Sequence, residues 1–421
     1  MSPLLGCVAD DYTGGTDVAA AYRRSGLRTV LFFGTPPAET TLPPCDAVVI
    51  ALKTRSIPPA EAITASRQAQ DWLTAQGARR LYVKYCSTFD STDQGNIGPV
   101  TDALVKASGA NLTVVCPASP EHGRTLYQGH LFVGDRPLAE SPMRHHPLTP
   151  MTDSDLVRVL SRQTPHPVAL VPLQTVERGP AAVREALDDL AAQGVRHAVT
   201  DALTDGHLGT IARATTHLPV LTGAAGLARA LAIDATGGTG GTGGIGGIGG
   251  IGGTGGTGEA MPELPPGPSV ILAGSCSAAT LEQVAHARDH MPAHHLRARD
   301  GALPEALTWL ETHLGQESRV IVHTSAPPGR RSPAAAPFLE RALAAVAARA
   351  AELGARRIVV AGGETSGAVV NALGVSGAVV GAEADRGVPW LLTTGRPPLA
   401  LLLKSGNFGR PDLLLRATEA P

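Results

Sequence analysis

Residues 237–258 place the strongest constraint on how this chain folds. They form a three-residue repeat, x-Gly-Gly, in which x is only Thr or Ile. A collagen helix would need proline and would carry side chains at two of every three positions, so collagen is excluded. Glycine loses much conformational entropy on ordering, and this composition cannot bury a core. We therefore expect a flexible linker or insertion that divides the chain into two folded parts.

On both sides of the repeat, short β-branched runs alternate with amphipathic stretches rich in Ala, Leu and Arg. A chain of 421 residues is too long for a single hydrophobic core. Alternation of this kind predicts βαβ units and parallel sheets. The predicted fold is α/β, with two domains that each contain a largely parallel sheet flanked by helices. We expect the domains at 1–235 and 266–421, with the Gly-rich linker at 236–265 between them.

The pattern predicts individual elements in both halves. Strands are predicted at Leu4–Ala9, Thr29–Phe33, Ala47–Leu52, Leu81–Tyr85, Leu112–Cys116, Val168–Val171, Ala198–Thr200, 269–273, 319–323, 357–361 and 399–403. Helices are predicted at 17–25, 60–76, 97–108, 153–163, 180–193, 224–232, 277–289, 302–314, 334–353 and 365–373.

Composition excludes several classes of function. Net charge is −2, with 35 basic and 37 acidic residues mixed along the chain. Binding to nucleic acid or to an anionic membrane would need a basic patch, so neither partner is expected. The five cysteines are scattered and never spaced as CxxC, which is typical of a reducing cytoplasm and not of a zinc site. No apolar run approaches the roughly 18 residues that span a membrane, and we expect a cytoplasmic protein.

Three loops in the N-terminal half place polar groups directly after a predicted strand. They are Ala9–Asp17, Lys53–Ser56 and Lys84–Gly98. Open α/β folds build ligand sites at the carboxyl edge of a parallel sheet, where such loops meet. In the first loop, Thr16 or Asp17 could simply cap the following helix. The third loop carries more hydrogen-bonding groups than packing requires, so we expect it to hold a polar ligand.

Charged residues in these loops indicate which class of ligand they bind. The adjacent carboxylates Asp10 and Asp11 repel each other unless a cation or a substrate hydroxyl lies nearby. The second loop contributes Lys53 and Arg55, which suit a carboxylate. Only four lysines occur against 31 arginines, and three of them follow predicted strands. Because a lysine ammonium is a compact point charge, their placement favours an anionic ligand such as a phosphate or a carboxylate.

Three glycine-containing loops in the C-terminal half also follow predicted strands. They are 274–277 (GSCS), 361–367 (AGGETSG) and 404–409 (KSGNFG). Paired glycines let the backbone approach a ligand closely, and a helix N-terminus offers free N–H groups to phosphate oxygens. We therefore expect a nucleotide phosphate site. The chain has neither a P-loop nor a GxGxxG fingerprint, and its histidines form no HExxH-like ligand pair, so no metal site is predicted from them.

These motifs together resemble the four-carbon acid sugar kinase family over nearly the whole chain. The matching segments are ADDYTGGTD at 9–17, GGETSG at 362–367 and KSGNFG at 404–409. The segment from Lys84 onward, the run 123–134 and the run 146–153 are most similar to the 3-oxo-tetronate kinases of that family. The glycine repeat departs from the family pattern. The resemblance implies a substrate domain at 1–235, an ATP domain at 266–421, and domain closure around both ligands.

The implied reaction is transfer of the ATP γ-phosphoryl group to the C4 hydroxyl of 3-oxo-tetronate, with Mg²⁺ on the phosphates. Arg55 and Lys84 would hold the substrate carboxylate, while Asp10 and Ser87 would orient its hydroxyls. For the general base, Asp10 or Asp11 is the first choice, and Asp90 or Asp93 the second. The expected ATP contacts are Ser275, Gly362, Gly363, Glu364, Thr365, Gly406 and Asn407, with Glu364 the candidate Mg²⁺ ligand.

Several alternatives stay open at this point. The acceptor could be an unoxidised tetronate such as threonate or erythronate, or a branched acid such as 3-oxo-isoapionate. An oxidoreductase with two Rossmann-like domains is disfavoured by the missing dinucleotide fingerprint. A sugar-acid sensor without catalysis would not need both halves of a phosphoryl-transfer site. A homo-oligomer is compatible with the sequence.

Overall fold

The computed structural model describes residues 5–146, 149–237, 263–326, 333–395 and 397–419. Contacts divide the chain into two compact units, one formed by 1–29 with 34–258 and the other by 30–33 with 259–421. The glycine repeat lies, apart from its first residue, outside the described residues, as does Leu4 of the first predicted strand. None of the described helices has the length and apolarity to cross a bilayer.

The N-terminal half contains eleven described strands and eight described α-helices. The strands are β1 (Leu5–Ala9), β2 (Thr29–Phe33), β3 (Ala47–Ala51), β4 (Arg80–Lys84), β5 (Thr113–Cys116), β6 (Arg124–Tyr127), β7 (His130–Val133), β8 (Arg136–Pro137), β9 (Val168–Val171), β10 (His197–Thr200) and β11 (Val220–Gly223). The helices are α1 (Tyr12–Arg24), α2 (Pro59–Ala75), α3 (Ile97–Ala107), α4 (Leu156–Ser161), α5 (Leu173–Glu177), α6 (Pro180–Ala192), α7 (Asp205–Ala214) and α8 (Ala225–Ala235).

The C-terminal half continues the alternation in its described part. The strands are β12 (Ser269–Ala273), β13 (Ala293–His295), β14 (Arg319–His323), β15 (Arg357–Ala361), β16 (Gly377–Asp385), β17 (Val388–Thr393) and β18 (Ala400–Lys404). The helices are α9 (Ala278–Arg288), α10 (Ala302–Leu314), α11 (Ala336–Glu352), α12 (Gly363–Ala372) and α13 (Leu413–Arg416).

The first unit is built on a parallel sheet with the strand order β3-β1-β4-β11-β5-β10-β9. Its strands β1, β3 and β5 are buried along their whole length, which explains their apolar sequences. Four features were not predicted from the sequence: strand β11, helices α5 and α7, and the small antiparallel sheet β6-β7-β8. The short run at 220–223 gave too weak a strand pattern.

The second unit has a parallel part with the order β13-β14-β12-β15-β18, extended by β17, β16 and β2 in antiparallel pairing. A buried cluster on one face of the sheet includes Ile271, Ile321, Val359 and Leu402. The predicted α/β class with largely parallel sheets is confirmed. Strand β2 was expected in the N-terminal domain, but Val30–Phe33 belongs to the second unit, where it pairs with β16.

Candidate functional site

The first unit gathers its polar loops at one edge of its sheet. Ala9, at the end of β1, is in register with Ala51 of β3 and Lys84 of β4. Backbone hydrogen bonds join the loops that follow, because the Asp10 N–H donates to the Lys84 carbonyl and the Thr54 N–H donates to the Asp10 carbonyl. The loops after β1, β3 and β4 therefore begin side by side, as expected where parallel strands end.

Arg55 links the carboxylates of these loops. Its Nε and Nη2 donate to the two carboxylate oxygens of Asp10 at 2.8 and 2.7 Å, a bidentate pair. Nη2 also donates to Asp11 Oδ1 at 2.6 Å. Nη1 lies 3.8 Å from Asp90 Oδ2, which is too far for a hydrogen bond. The guanidinium is thus engaged mainly by the protein's own carboxylates.

The two adjacent carboxylates have different electrostatic environments. Burial raises the pKa of Asp10 despite the opposing charge of Arg55. Burial acts on Asp11 too, but Arg55, Lys84 and hydrogen bonds at the start of α1 together hold its pKa below the ordinary value. Neighbouring carboxyl groups whose pKa values are pushed apart are a recurring feature of catalytic sites.

A strained turn places Asp90 beside Arg55. Phe89 and Asp90 have φ angles of 63° and 21°, in a region that side chains other than glycine rarely occupy. Such residues cost about 1–3 kcal/mol each and persist only where the surroundings hold them. The Phe89 ring is fully buried and meets the Tyr85 ring edge-on at 5.4 Å. The Thr88 hydroxyl donates to Asp90 Oδ1 at 2.6 Å, so the Asp90 side chain is held as well.

Lys84 is a buried cation that faces a pocket. The residue is only 3% exposed, and it lines the pocket together with Asp10, Arg55 and Asp90. Within the described residues, its ammonium group has no hydrogen bond and no carboxylate within ion-pair distance. Gly14 allows this position, since a Cβ there would lie 2.9 Å from Lys84 Nζ. A desolvated, unpaired ammonium at a pocket wall is suited to bind an anion.

Three predicted site residues are not part of the pocket lining: Asp11, Ser87 and Asp93. The Asp11 carboxylate accepts a hydrogen bond from Arg55 beside the pocket. Ser87 is half-buried. The Asp93 side chain is 64% exposed and forms an ion pair with Arg162 at 3.1 Å. The pocket therefore brings together Asp10, Arg55, Lys84 and Asp90 from the predicted set.

Helix α1 starts earlier than the sequence suggested. Neither Thr16 nor Asp17 caps it; Asp11 is the N-cap, and its Oδ1 accepts a hydrogen bond from the Gly14 N–H at 3.0 Å. Asp17 instead lies buried inside the helix, and its Oδ1 has no hydrogen-bond partner. Burial raises the pKa of Asp17 to about 6. The two glycines at 14 and 15 are poor helix formers, which is why the sequence pattern delayed the start.

Two buried carboxamides that we did not single out in the sequence support the site. Asn96 Nδ2 donates to the carbonyls of Thr54 and Ile57 at 2.6 and 2.8 Å, and so braces the loop that carries Arg55. Gln163 bonds the loop that follows Asp90. Asn96 stands in the polar segment after β4, which was a signal, whereas nothing in the sequence near Gln163 pointed to this contact.

The second unit also aligns its loops at one sheet edge. Ala273, Ala361 and Lys404 end the neighbouring strands β12, β15 and β18 in register. The Ser275 N–H donates to the Ala361 carbonyl, and the Gly362 N–H donates to the Lys404 carbonyl. The three predicted phosphate-binding loops therefore lie next to each other.

Helix α12 begins at this edge without a side-chain cap. Its N-cap, Gly362, has a φ of 130°, and a Cβ there would lie 3.1 Å from the Ser275 backbone nitrogen. Gly363 and Glu364 of the first turn are exposed, whereas Thr365 is buried. An uncapped N-terminus with glycine beside it leaves N–H groups for an anion such as phosphate.

A buried lysine supports the third loop of this unit. Lys404 Nζ donates to Thr280 Oγ1 at 3.0 Å and to the Gly406 carbonyl at 3.1 Å. Its side chain is fully buried, and burial lowers its pKa to about 7. A Cβ on Gly406 would lie 2.4 Å from Ser275 Oγ, so the two loops touch through glycine. Asn407 is exposed at the tip of the loop.

The number of carboxylates in the three glycine loops of the second unit indicates how a metal ion could be held there. Glu364 supplies the single carboxylate of the segments 274–277, 362–367 and 404–409. No group of three or more His, Cys, Asp or Glu side chains suited to a metal ion occurs among the described residues. This sparse donor set fits a Mg²⁺ ion that is held chiefly by nucleotide phosphates and water, with one carboxylate at most.

Comparison with known proteins agrees with this division of sites. A family model described as a sugar-binding N-terminal domain matches residues 5–231. A second, described as a nucleotide-binding C-terminal domain, matches residues 270–414. The chain belongs to the four-carbon acid sugar kinase family. The resemblance drawn from the sequence motifs is confirmed.

Relatives within this family match over nearly their full length. A 3-oxo-tetronate kinase of Methylobacterium radiotolerans is 48% identical, with 100% of this chain and 99% of the relative covered. A 3-oxo-tetronate kinase of Cupriavidus necator is 46% identical, with 97% and 95% covered. A crystal structure from Salmonella typhimurium, whose description proposes a tRNA synthase, superposes with a TM-score of 0.85 at 40% identity, and 98% of each chain is covered.

Proposed function

We propose that this member of the family transfers the γ-phosphoryl group of ATP to the C4 hydroxyl of 3-oxo-tetronate. The products would be 3-oxo-tetronate 4-phosphate and ADP. The observation that carries the proposal is the full-length similarity to relatives named 3-oxo-tetronate kinase, at up to 48% identity. Two features support the proposal: the polar pocket in the first unit, as a candidate site for the sugar acid, and the glycine loops at the sheet edge of the second unit, as a candidate site for the ATP phosphates.

Lys84 is the group that we assign to the substrate carboxylate. Its ammonium is buried and unpaired within the described residues, so an incoming carboxylate would provide the missing charge. Arg55 is occupied by Asp10 and Asp11. In this arrangement Arg55 neutralises both carboxylates and orients Asp10, which lines the pocket and would accept a hydrogen bond from a hydroxyl of the sugar acid through a remaining lone pair.

Asp90 is the residue that we assign as the general base, ahead of Asp10 and Asp11. Both oxygens of Asp10 accept from Arg55, and both oxygens of Asp11 accept from neighbouring donors. The raised pKa of Asp10 favours proton acceptance, but its bidentate pairing opposes it. Asp90 Oδ2 lies 3.8 Å from the nearest guanidinium nitrogen and accepts no hydrogen bond from a described residue. It can therefore receive the C4 hydroxyl proton.

The glycine loops of the second unit would hold ATP. Gly363, Glu364 and Asn407 are exposed residues at this edge, and the N-terminus of α12 and the Asn407 side chain would contact the phosphates. Mg²⁺, bound mainly to the phosphates, would neutralise charge that develops during transfer. Glu364 is the residue we place nearest to it. Because ATP is the phosphoryl donor, we also propose a cytoplasmic location.

The test is ADP release with a panel of acceptors. We expect turnover with 3-oxo-tetronate to exceed that with threonate, erythronate and 3-oxo-isoapionate. Asp90→Asn should lower kcat on the order of 100-fold or more, the usual contribution of a positioned base. A chain that reduced or oxidised NAD(H) and released no ADP would refute the proposal. Preference for another acid of the panel would refute the assigned substrate alone.

A further inference from the structure

Both ends of the Gln163 carboxamide are hydrogen-bonded inside the first unit. Gln163 is 8% exposed. Its Oε1 accepts from the Gly98 N–H at 3.0 Å, while Nε2 donates to Ser91 Oγ at 2.9 Å and to the Thr92 carbonyl at 2.7 Å. These bonds join positions 65 to 72 residues apart in the chain. A buried carboxamide that makes three hydrogen bonds fixes the groups it touches.

The groups that Gln163 holds lie at the start and at the end of the segment that follows the strained turn. Ser91 and Thr92 directly follow Asp90, and Gly98 stands in the first turn of α3. The contact is close, since a Cβ on Gly98 would lie 2.7 Å from Gln163 Cβ. The segment 91–98 is thus clamped at its start and its end by one side chain. Without the clamp, the chain after Asp90 could move and let the positive φ angles relax.

We propose that Gln163 is the positioning residue that holds Asp90 in the pocket. This inference rests on the proposed function, in which Asp90 takes the C4 proton. Thr88 fixes one carboxylate oxygen of Asp90 from the N-terminal side, and Gln163 fixes the backbone from the C-terminal side. Asp90 lines the pocket, and we expect its Oδ2 to stay available there only while both restraints hold.

The experiment is a double-mutant cycle on kcat with Asp90→Asn and Gln163→Leu. Gln163→Leu should lower kcat roughly tenfold to 100-fold, as a small misplacement of a reacting group does. KM for the sugar acid should change less than about threefold, because Lys84 and Arg55 are not touched by Gln163. If Gln163 acts through Asp90, the double variant should be no slower than Asp90→Asn alone.

The Tm of each variant separates a folding defect from a loss of positioning. Gln163→Glu keeps the shape and the acceptor for Gly98 but loses both donors. It should lower kcat as Gln163→Leu does, while Gln68→Glu, the same change at an exposed position of α2, should not. Additive losses in the cycle would overturn the proposal, as would a lower Tm with an unchanged kcat. If Asp90→Asn kept normal turnover, the base assignment and this inference would fall together. A wild-type chain that released no ADP would instead refute the kinase itself.

Discussion

Replacing Lys84 by methionine tests whether its buried ammonium binds the substrate carboxylate. The substitution keeps the length and the apolar stem of the side chain and removes only the ammonium. Lys84 is only 3% exposed, and its ammonium has no ion-pair partner among the described residues. If it receives the substrate carboxylate, its loss leaves a buried anion unpaired.

The magnitude follows from that unpaired charge. Truncating one partner of a buried charge pair costs roughly 2–5 kcal/mol of binding. Each 1.4 kcal/mol is a factor of ten, so kcat/KM should fall by roughly 30-fold to 4,000-fold. Stability should change little, because the lost attraction to Asp11 and Asp17 is offset by the ammonium's own desolvation. We expect a Tm shift of at most about 4 °C, or ~1 kcal/mol for a domain of this size.

The assay compares 3-oxo-tetronate with the neutral ketose that carries CH₂OH in place of the carboxylate. Wild type should strongly prefer the acid, and Lys84→Met should lose most of that preference while it keeps its turnover of the ketose. Lys106→Met, the same change at an exposed position of α3, is the control and should behave as wild type. If Lys84→Met slowed both acceptors equally, the ammonium would not be reading the carboxylate, and the assignment would be wrong.

Two further predictions concern the glycine loops and a buried carboxyl group. Gly362→Ala should destabilise the protein by roughly 1–3 kcal/mol, because its φ of 130° suits only glycine. It should raise KM for ATP more than KM for the sugar acid, whereas Gly374→Ala, at a positive φ with open space around it, should leave both KM values unchanged. Asp17→Asn should raise the Tm at pH 8. The folded-state pKa of Asp17 is raised to about 6, so the folded protein binds this proton more tightly than the unfolded chain does. The stability that comes from the protonated carboxyl is complete below pH ~4 and is lost as the pH rises through about 6. The gain in the free energy of unfolding should approach ~3 kcal/mol at pH 8 and vanish at pH 4. Equal Tm differences between variant and wild type at pH 4 and pH 8 would contradict this. The control is Asp71→Asn, the same change at an exposed position.

Much of the fold was predictable because its strands are buried runs with strong local patterns. Strands β2, β9, β12, β14 and β15 have the bounds that the sequence suggested. The failures had two causes. The antiparallel hairpin of β16 and β17, joined by the short turn Arg386-Gly387, was missed because only alternating strands and helices were expected. The partner of β2 was missed because it lies more than 340 residues away in the chain. A local pattern specifies an element, whereas its neighbour is chosen by the whole chain.

The site divides in the same way. Polar residues directly after strands were predictable, since carboxyl ends of parallel strands converge, and Asp10, Arg55, Lys84 and Asp90 do meet in one pocket. Which of these side chains pair with each other was not predictable. That Arg55 is engaged by carboxylates while Lys84 is left without a partner depends on distances that no spacing rule supplies.

The placement of β2 determines how this protein can be divided. The antiparallel edge of the second sheet is completed by Val30–Phe33, which the chain supplies before most of the first unit is synthesised. A fragment that began after the glycine repeat would present the open edge of β16, with unpaired N–H and C=O groups ready to join another chain. Gene fusions, truncations or split versions of this enzyme must therefore keep the N-terminal strand with the nucleotide-binding half, although sequence boundaries suggest that the two halves separate cleanly.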